Sequence, residues 1–226
     1  QGDNPARWKG HLDVILPAPA KVQKTEHHAA LPYVDMCAFM TDLRQRKGIA
    51  ARALEFTILT ATRSGESRGA EWSEIDLASK IWTIPAERMK AGKEHRIPLS
   101  ESVCKLLEST LRVSGTGSRY VFPSLKGSTL SDMTLTAVLR RMERNDITVH
   151  GFRSSFRDWA AETTAFPREV IEHAMSHQLK DKAEAAYQRG DLLIKRAKLM
   201  EAWAAYCEHS SGMAEVTPIN VKNAQV

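Results

Sequence analysis

The chain has 226 residues, 42% of them hydrophobic and 26% charged, with 32 Lys and Arg against 27 Asp and Glu for a formal charge of +5. That composition fills a core for one domain of up to about 200 residues, and no run approaches the roughly 18 apolar residues of a membrane helix or the basic-apolar-small order of a signal peptide. Cys37, Cys104 and Cys207 are odd in number and too far apart for a disulfide framework or a thiolate metal knuckle, so they read as core or near-surface thiols, while the modest positive charge admits nucleic acid as a partner without establishing it.

Residues 1–30 hold Pro5, Pro17, Pro19, a KVQK stretch and His27-His28 without a sustained helical period. They read as a linker, with one short element between Trp8 and Ile15. The chain starts at Gln1 rather than Met, and the expectation is that it is a piece of a longer protein. The first long helix is predicted from Pro32 to Arg46, with Val34, Cys37, Ala38, Met40 and Leu43 on one stripe and Gly48 beyond its end. A second helix covers Ala50 to Ala61, and Gly65 reads as a turn.

The period then changes to two. Glu71 to Asp76 alternates weakly, Lys80 to Ile84 reads as a strand, and His95 to Leu99 reads as its antiparallel partner across a loop containing Gly92. Glu101 to Leu111 is helical, SGTGS at 114–118 is a turn, and Tyr120 to Phe122 is a short extended piece stopped by Pro123. Helices follow at 131–144, 151–163, 167–175 and 191–208. In the last of these, Leu192, Leu199, Met200, Trp203 and Tyr206 share a face that can dock on its own domain or on a neighbour. Residues 210–226 read as a flexible tail. The expected fold is mainly α with a small antiparallel β-sheet.

Four segments carry possible chemistry. In His150-Gly151-Phe152-Arg153-Ser154-Ser155-Phe156-Arg157, helical spacing sends Phe152, Phe156 and Trp159 to the core and predicts that His150, Arg153 and Arg157 face another side together. Such a cluster suits a phosphate, whose free oxygens match a guanidinium fork, although solvated surface charges also account for it. Arg63 stands between an apolar helix and Gly65, with Glu66 placed to brace it; a plain salt bridge reads equally well. Arg88, Lys90, Lys93 and Arg96 crowd the hairpin, where one lysine could give a proton to a leaving oxygen. His177 is followed ten residues later by Tyr187, and a tyrosine needs cations around the atom it attacks before it becomes a useful nucleophile.

Taken in order, Arg63, Lys90, His150-x-x-Arg153, His177 and Tyr187 resemble the catalytic domain of tyrosine recombinases, in particular phage-type and genomic-island integrases. Thr62-Arg63-Ser64-Gly65-Glu66, Trp72-Ser73-Glu74-Ile75-Asp76, Arg88-Met89-Lys90, His95-Arg96-Ile97-Pro98-Leu99 and His150-Gly151-Phe152-Arg153 carry the likeness, over about residues 31 to 209. The resemblance implies that Arg63 and Arg153 grip the scissile phosphate with His150 paired to the second, that Lys90 is the hairpin lysine, and that His177 stands near the nucleophile Tyr187. Glu66 falls at the acidic support position. Arg88, Lys93, Arg96, Arg140, Arg141 and Arg157 are candidate DNA-backbone contacts.

The same resemblance implies a site-specific recombinase that breaks and rejoins duplex DNA attachment sites through a 3′-phosphotyrosyl bond, without metal or ATP. The sequence has no HExxH, paired-cysteine or Gly-rich nucleotide motif to suggest either. Further implications are a homotetramer on DNA, a host DNA-bending protein, no membrane, and the cytoplasm and nucleoid of a prokaryotic host. An upstream DNA-clamping domain is expected to be missing, with residues 1–30 as its exit linker. Two other readings share the fold: a type IB topoisomerase, and a DNA-binding module that has lost the reaction.

Overall fold

The computed structural model describes residues 29–114, 117–177 and 191–208, with 4, 7, 9 and 12–15 at the start of the chain. Around Trp8 to Ile15 the described element is one turn of helix, Asp13–Ile15. After Pro32 a 3-10 turn, Tyr33–Asp35, leads into α1, Met36–Gln45, so the single helix expected from Pro32 is two pieces. Gly48 makes the break at φ 101, a conformation that side chains with a Cβ rarely adopt.

The next helix, α2 (Ile49–Thr60), is the axis of the domain. Every residue from Ala53 to Thr60 is buried, the pattern of a helix surrounded on all sides. Its neighbours are α1, α3 (Ser64–Arg68), α4 (Glu101–Ser114), α5 (Thr134–Arg141) and α8 (Leu193–Glu208). The buried hydroxyls on α2 are satisfied within the helix, and the buried Glu55 carboxylate lies between two arginines. Thr57 and Thr60 donate to the carbonyls of Ala53 and Phe56 at 2.7 and 2.6 Å, and Glu55 accepts from Arg44 at 2.6 Å and pairs with Arg52 at 2.8 Å. The turn expected at Gly65 is the interior of α3.

The sheet has three antiparallel strands in the order β1 (Ile75–Asp76), β2 (Ile81–Ile84) and β3 (His95–Pro98). Register places Trp82 opposite Ile97 and Ile84 opposite His95. Trp82 and Ile84 point to the core, where the Trp82 ring lies 4.9 Å from that of Phe56, while Ile81 and Thr83 between them are half-buried. Tyr120 makes only an isolated bridge to Glu71, so the extended piece expected at 120–122 does not become a strand of this sheet. The helix expected over 131–144 is shorter, because residues 131–133 form a turn and Glu143 adopts φ 60.

The remaining helices are α6 (Gly151–Thr163) and α7 (Arg168–Ala174), which leads towards His177. The last helix, α8, docks on its own domain. It contacts α1, α2, α4, α6, α7 and β3 and buries Leu199, Met200, Trp203, Ala204 and Cys207, and the Trp203 indole donates to the Ile58 carbonyl at 2.9 Å. Leu192 lies before the helix, and Tyr206 is only half-buried. All three cysteines are free and buried.

The start of α6 is pressed onto the chain entering the domain. The Ala29 carbonyl accepts the Thr148 amide at 2.9 Å, and Ser155 Oγ donates to the Leu31 carbonyl. A Cβ on Gly151 would sit 2.2 Å from the Ala29 oxygen and 2.8 Å from Ala30 Cα, so glycine is required by close approach. Gly151→Ala is therefore expected to destabilise the domain by about 1–3 kcal/mol. Urea unfolding measures this, and an unchanged midpoint would contradict it.

Candidate active site

Arg153 is the centre of the site. It lies one turn into α6 and is 4% exposed, whereas the Arg157 side chain is 53% exposed and 3.5 Å from Asp158. The expectation that these two arginines and His150 face another side of the helix together is corrected by this packing: the Arg153 guanidinium is buried against the carbonyls of Ala61 and Met175, while Arg157 stays exposed. The exposed His150 stays at the helix start and offers its carbonyl to the Arg153 amide at 3.1 Å.

The Arg153 guanidinium is held from three directions. Nη1 donates to the Ala61 carbonyl, and Nη2 to the Met175 carbonyl at 2.6 Å and His177 Nε2 at 3.1 Å. Since arginine only donates, His177 Nε2 must accept, which leaves its Nδ1–H to donate to Glu172 Oε2 at 2.6 Å. The backbone beside both carbonyls is left-handed, at Ala61 (φ 51) and Ser176 (φ 53), conformations that cost on the order of 1 kcal/mol each and concentrate at functional sites. Three of the five guanidinium hydrogens are thus taken. One on Nη1 remains, and the one on Nε is buried without a partner.

Arg63 approaches from the other side, at the junction of α2 and α3. Its Nη1 donates to Glu66 Oε1 and its backbone amide to Oε2, both at 2.8 Å, and Glu66 is 5% exposed. Glu66 thus holds both the side chain and the backbone amide of Arg63. A hydroxyl chain sets the turn: Thr60 bonds Thr62 at 2.9 Å and Thr62 bonds Ser67 at 2.6 Å. Burial and then the positive charge of Arg63 lower the Arg153 pKa to about 10, against the opposing pull of Glu66 and Glu172. Two guanidinium groups close enough to repel, each fixed by its own acceptors, form a site that an anion would stabilise.

The hairpin cations separate into two kinds. Lys90 and Lys93 are exposed in the loop between β2 and β3, and Lys90 makes no bond to either arginine. Arg88, expected on DNA, is turned inward: Nη1 is bound by the Glu74 carboxylate and Nη2 donates to the Glu66 carbonyl at 2.6 Å. With both ends spent on the scaffold, it braces the backbone beneath Arg63. Arg96 pairs with Asp191 at 3.2 Å. Arg140 and Arg141 are exposed at the end of α5. Tyr187 lies outside the described residues.

A further imidazole, His95 on β3, stands near the clamp. His95 Nε2 is buried without a partner. Burial first, then the charges of Arg196, Arg153 and Arg63, bring its pKa from 6.5 to about 4. Nothing in a single strand residue's identity signals this, because the neighbours come from the α2–α3 junction, α6 and α8. The unfolded chain binds the proton first as the pH falls, so the stability held by neutral His95 is complete above about pH 6.5 and is lost towards pH 4. The loss is about 3 kcal/mol, and urea unfolding at pH 7 and pH 4 should show it in the parent and not in His95→Gln. Equal pH sensitivity of the two proteins would contradict it.

The sequence profile of the phage integrase family matches residues 33–191. The chain belongs to the phage integrase family. All six positions proposed for the chemistry fall inside the matched span. The chain is 37% identical to prophage integrase IntA of Escherichia coli (strain K12) over 150 residues, 65% of this chain and 36% of that protein. It is 30% identical to the integrase of Enterobacteria phage P4 over 205 residues, 82% of this chain and 46% of that protein. It therefore spans half or less of the length of these family members.

Solved structures share the fold. An integrase from mycobacterium phage Brujita superposes with a TM-score of 0.57 at 15% identity, covering 83% of this chain and 61% of that one. Lambda integrase (75–356), solved as a dimer bound to a COC′ core site, gives 0.53 at 19%, covering 75% and 62%. XerA recombinase gives 0.54 at 17%, covering 77% and 68%. The expected fold, a mainly helical recombinase catalytic domain with a small antiparallel sheet, is thus the fold of the family.

Proposed function

We propose that this integrase domain, residues 31–209, breaks and rejoins duplex DNA at attachment sites through a 3′-phosphotyrosyl bond, in integration and excision of a phage or genomic island. The observation that carries the reading is the pair of guanidinium groups, Arg63 on Glu66 and Arg153 on two carbonyls and His177. Attack by the Tyr187 oxygen on a phosphodiester puts extra charge on the non-bridging oxygens, and two fixed forks are in place before that charge develops. The partner-free hydrogens of Arg63 serve this role more readily than those of buried Arg153.

Proton transfer falls to other groups. Lys90, exposed on a loop, is the candidate acid for the departing 5′ oxygen. His150 or His177 takes or holds the tyrosine proton. In the described state His177 Nε2 is occupied by Arg153, so that role would require it to turn from Arg153 towards the tyrosine. The phosphotyrosyl bond conserves the energy of the broken phosphodiester, and a 5′-hydroxyl can then rejoin the strand.

Lys93, Arg140 and Arg141 are the backbone contacts this reading retains, together with Arg157, whose approach to Asp158 is long at 3.5 Å, since Arg88 and Arg96 are hydrogen-bonded within the protein. Lambda integrase has been solved as a tetramer bound to a Holliday junction, which supports a four-protomer assembly on DNA for this protein as well. A host DNA-bending partner and a nucleoid location in a prokaryotic cytoplasm belong to the same proposal. No helix among the described residues is long and apolar enough to cross a membrane. The test is strand exchange between two labelled duplexes carrying the attachment sequences, for which recombinant joints are expected. Relaxation of supercoils without joints would favour the topoisomerase reading instead.

A further inference from the structure

Arg153 meets the end of α7, and the way that helix stops decides which groups it meets. Ser176 is left-handed at φ 53, its amide donates to the His173 carbonyl at 3.0 Å, and the His177 amide donates to the Glu172 carbonyl at 2.9 Å. This pair of bonds is a Schellman cap, which folds the residue after the left-handed one back over the last helical turn. The two residues brought together in this way commonly make an apolar contact. Here they are His177 and Glu172, and their side chains are joined by the Nδ1–Oε2 bond of 2.6 Å.

A carboxylate in that place carries a desolvation cost. The Glu172 side chain is 16% exposed, and a leucine would supply the usual packing without taking a charge out of water. What the carboxylate adds is a constraint on the imidazole. An ionised carboxylate only accepts, so the proton of a neutral His177 is held on Nδ1 and the Nε2 lone pair is left for Arg153, which only donates. The opposite tautomer would set one N–H against another. With Nη2 bonded to both His177 and the Met175 carbonyl, the guanidinium is pinned by that edge, and its remaining terminal hydrogen lies on Nη1.

We propose that Glu172 is a positioning residue of the clamp, which fixes the tautomer of His177 and through it the orientation of the Arg153 guanidinium. Glu172 acts through His177 and performs no step of its own. The proposal rests on the reading of Arg153 as a phosphate ligand, but one arm of its test does not. Two variants separate the constraint from simple packing. Glu172→Gln keeps an oxygen that can accept Nδ1–H, and Glu172→Leu fills the cap without an acceptor.

Long-range proton–nitrogen NMR correlations on protein carrying isotope-labelled histidine read the tautomer directly, at about pH 8, above the ordinary imidazole range. The parent and Glu172→Gln should show a protonated Nδ1 and a bare Nε2 on His177, and Glu172→Leu a mixture of tautomers. On a nicked suicide duplex, Glu172→Leu should attach roughly tenfold more slowly than the parent with duplex affinity unchanged, and Glu172→Gln should recover most of that rate. A protonated Nε2 in the parent, one tautomer in all three proteins, a parental rate in Glu172→Leu, or no recovery in Glu172→Gln would overturn the positioning role. The parent spectrum needs no variant, so it can contradict the proposal even if Glu172→Leu does not fold. Failure of the parent to attach to DNA would instead overturn the reading of the site, and the tautomers would still judge Glu172.

Discussion

Tyr187→Phe is expected to abolish covalent attachment to DNA while leaving duplex binding nearly intact, since binding affinity comes mainly from cationic contacts to the phosphate backbone. Phenylalanine retains the ring and removes the one oxygen that can bond to phosphorus, so no residual route through the same position exists. The measurement is a nicked suicide duplex incubated with parent and variant and resolved on a denaturing gel. The parent should yield a slow-migrating protein–DNA species and the variant none. Persistence of the adduct would place the nucleophile elsewhere.

Removing either clamp arginine should produce the second largest loss, on the order of 3 kcal/mol of transition-state stabilisation, or roughly a hundredfold in rate, by analogy with deletion of one oxyanion donor. The two substitutions should differ in a way the packing specifies. Arg63→Ala removes a side chain that is 28% exposed, and Glu66 keeps the Arg63 backbone amide as a donor, so rate should fall with little change in stability. Arg153→Ala strips hydrogen bonds from the Ala61 and Met175 carbonyls in a buried site, and each unsatisfied acceptor costs about 1–3 kcal/mol. Arg153→Ala should therefore lose both rate and unfolding midpoint. If both variants cleave at the parental rate, the clamp assignment is wrong.

Local pattern revealed the helices of this fold and the hairpin, because α2, β2 and β3 carry their periods in contiguous residues. It also singled out Arg63, Glu66 and Arg153 by type and spacing. It failed where a neighbour distant in sequence decides the outcome. Helical spacing puts Arg153 and Arg157 40° apart on α6, which predicts a shared face, yet the ends of α2 and α7 bury one and leave the other in water. Arg88 and Arg96 look like any hairpin cations until Glu74 and Asp191 are seen beside them. His95 gains its lowered pKa first from burial and then from the charges of Arg196, Arg153 and Arg63, all distant in sequence. Gly65 was read as punctuation because isolated glycine usually breaks a helix, but Arg63 and Glu66 cap a short helix around it.

The central claim is that this fold uses a tyrosine oxygen to hold DNA between cleavage and rejoining. Its most direct test is to trap the covalent complex on a suicide duplex, digest it, and map the modified residue by mass spectrometry. A nucleotide-derived adduct on Tyr187 is predicted. An adduct on any other residue, or none when strand exchange is nevertheless observed, would contradict the account.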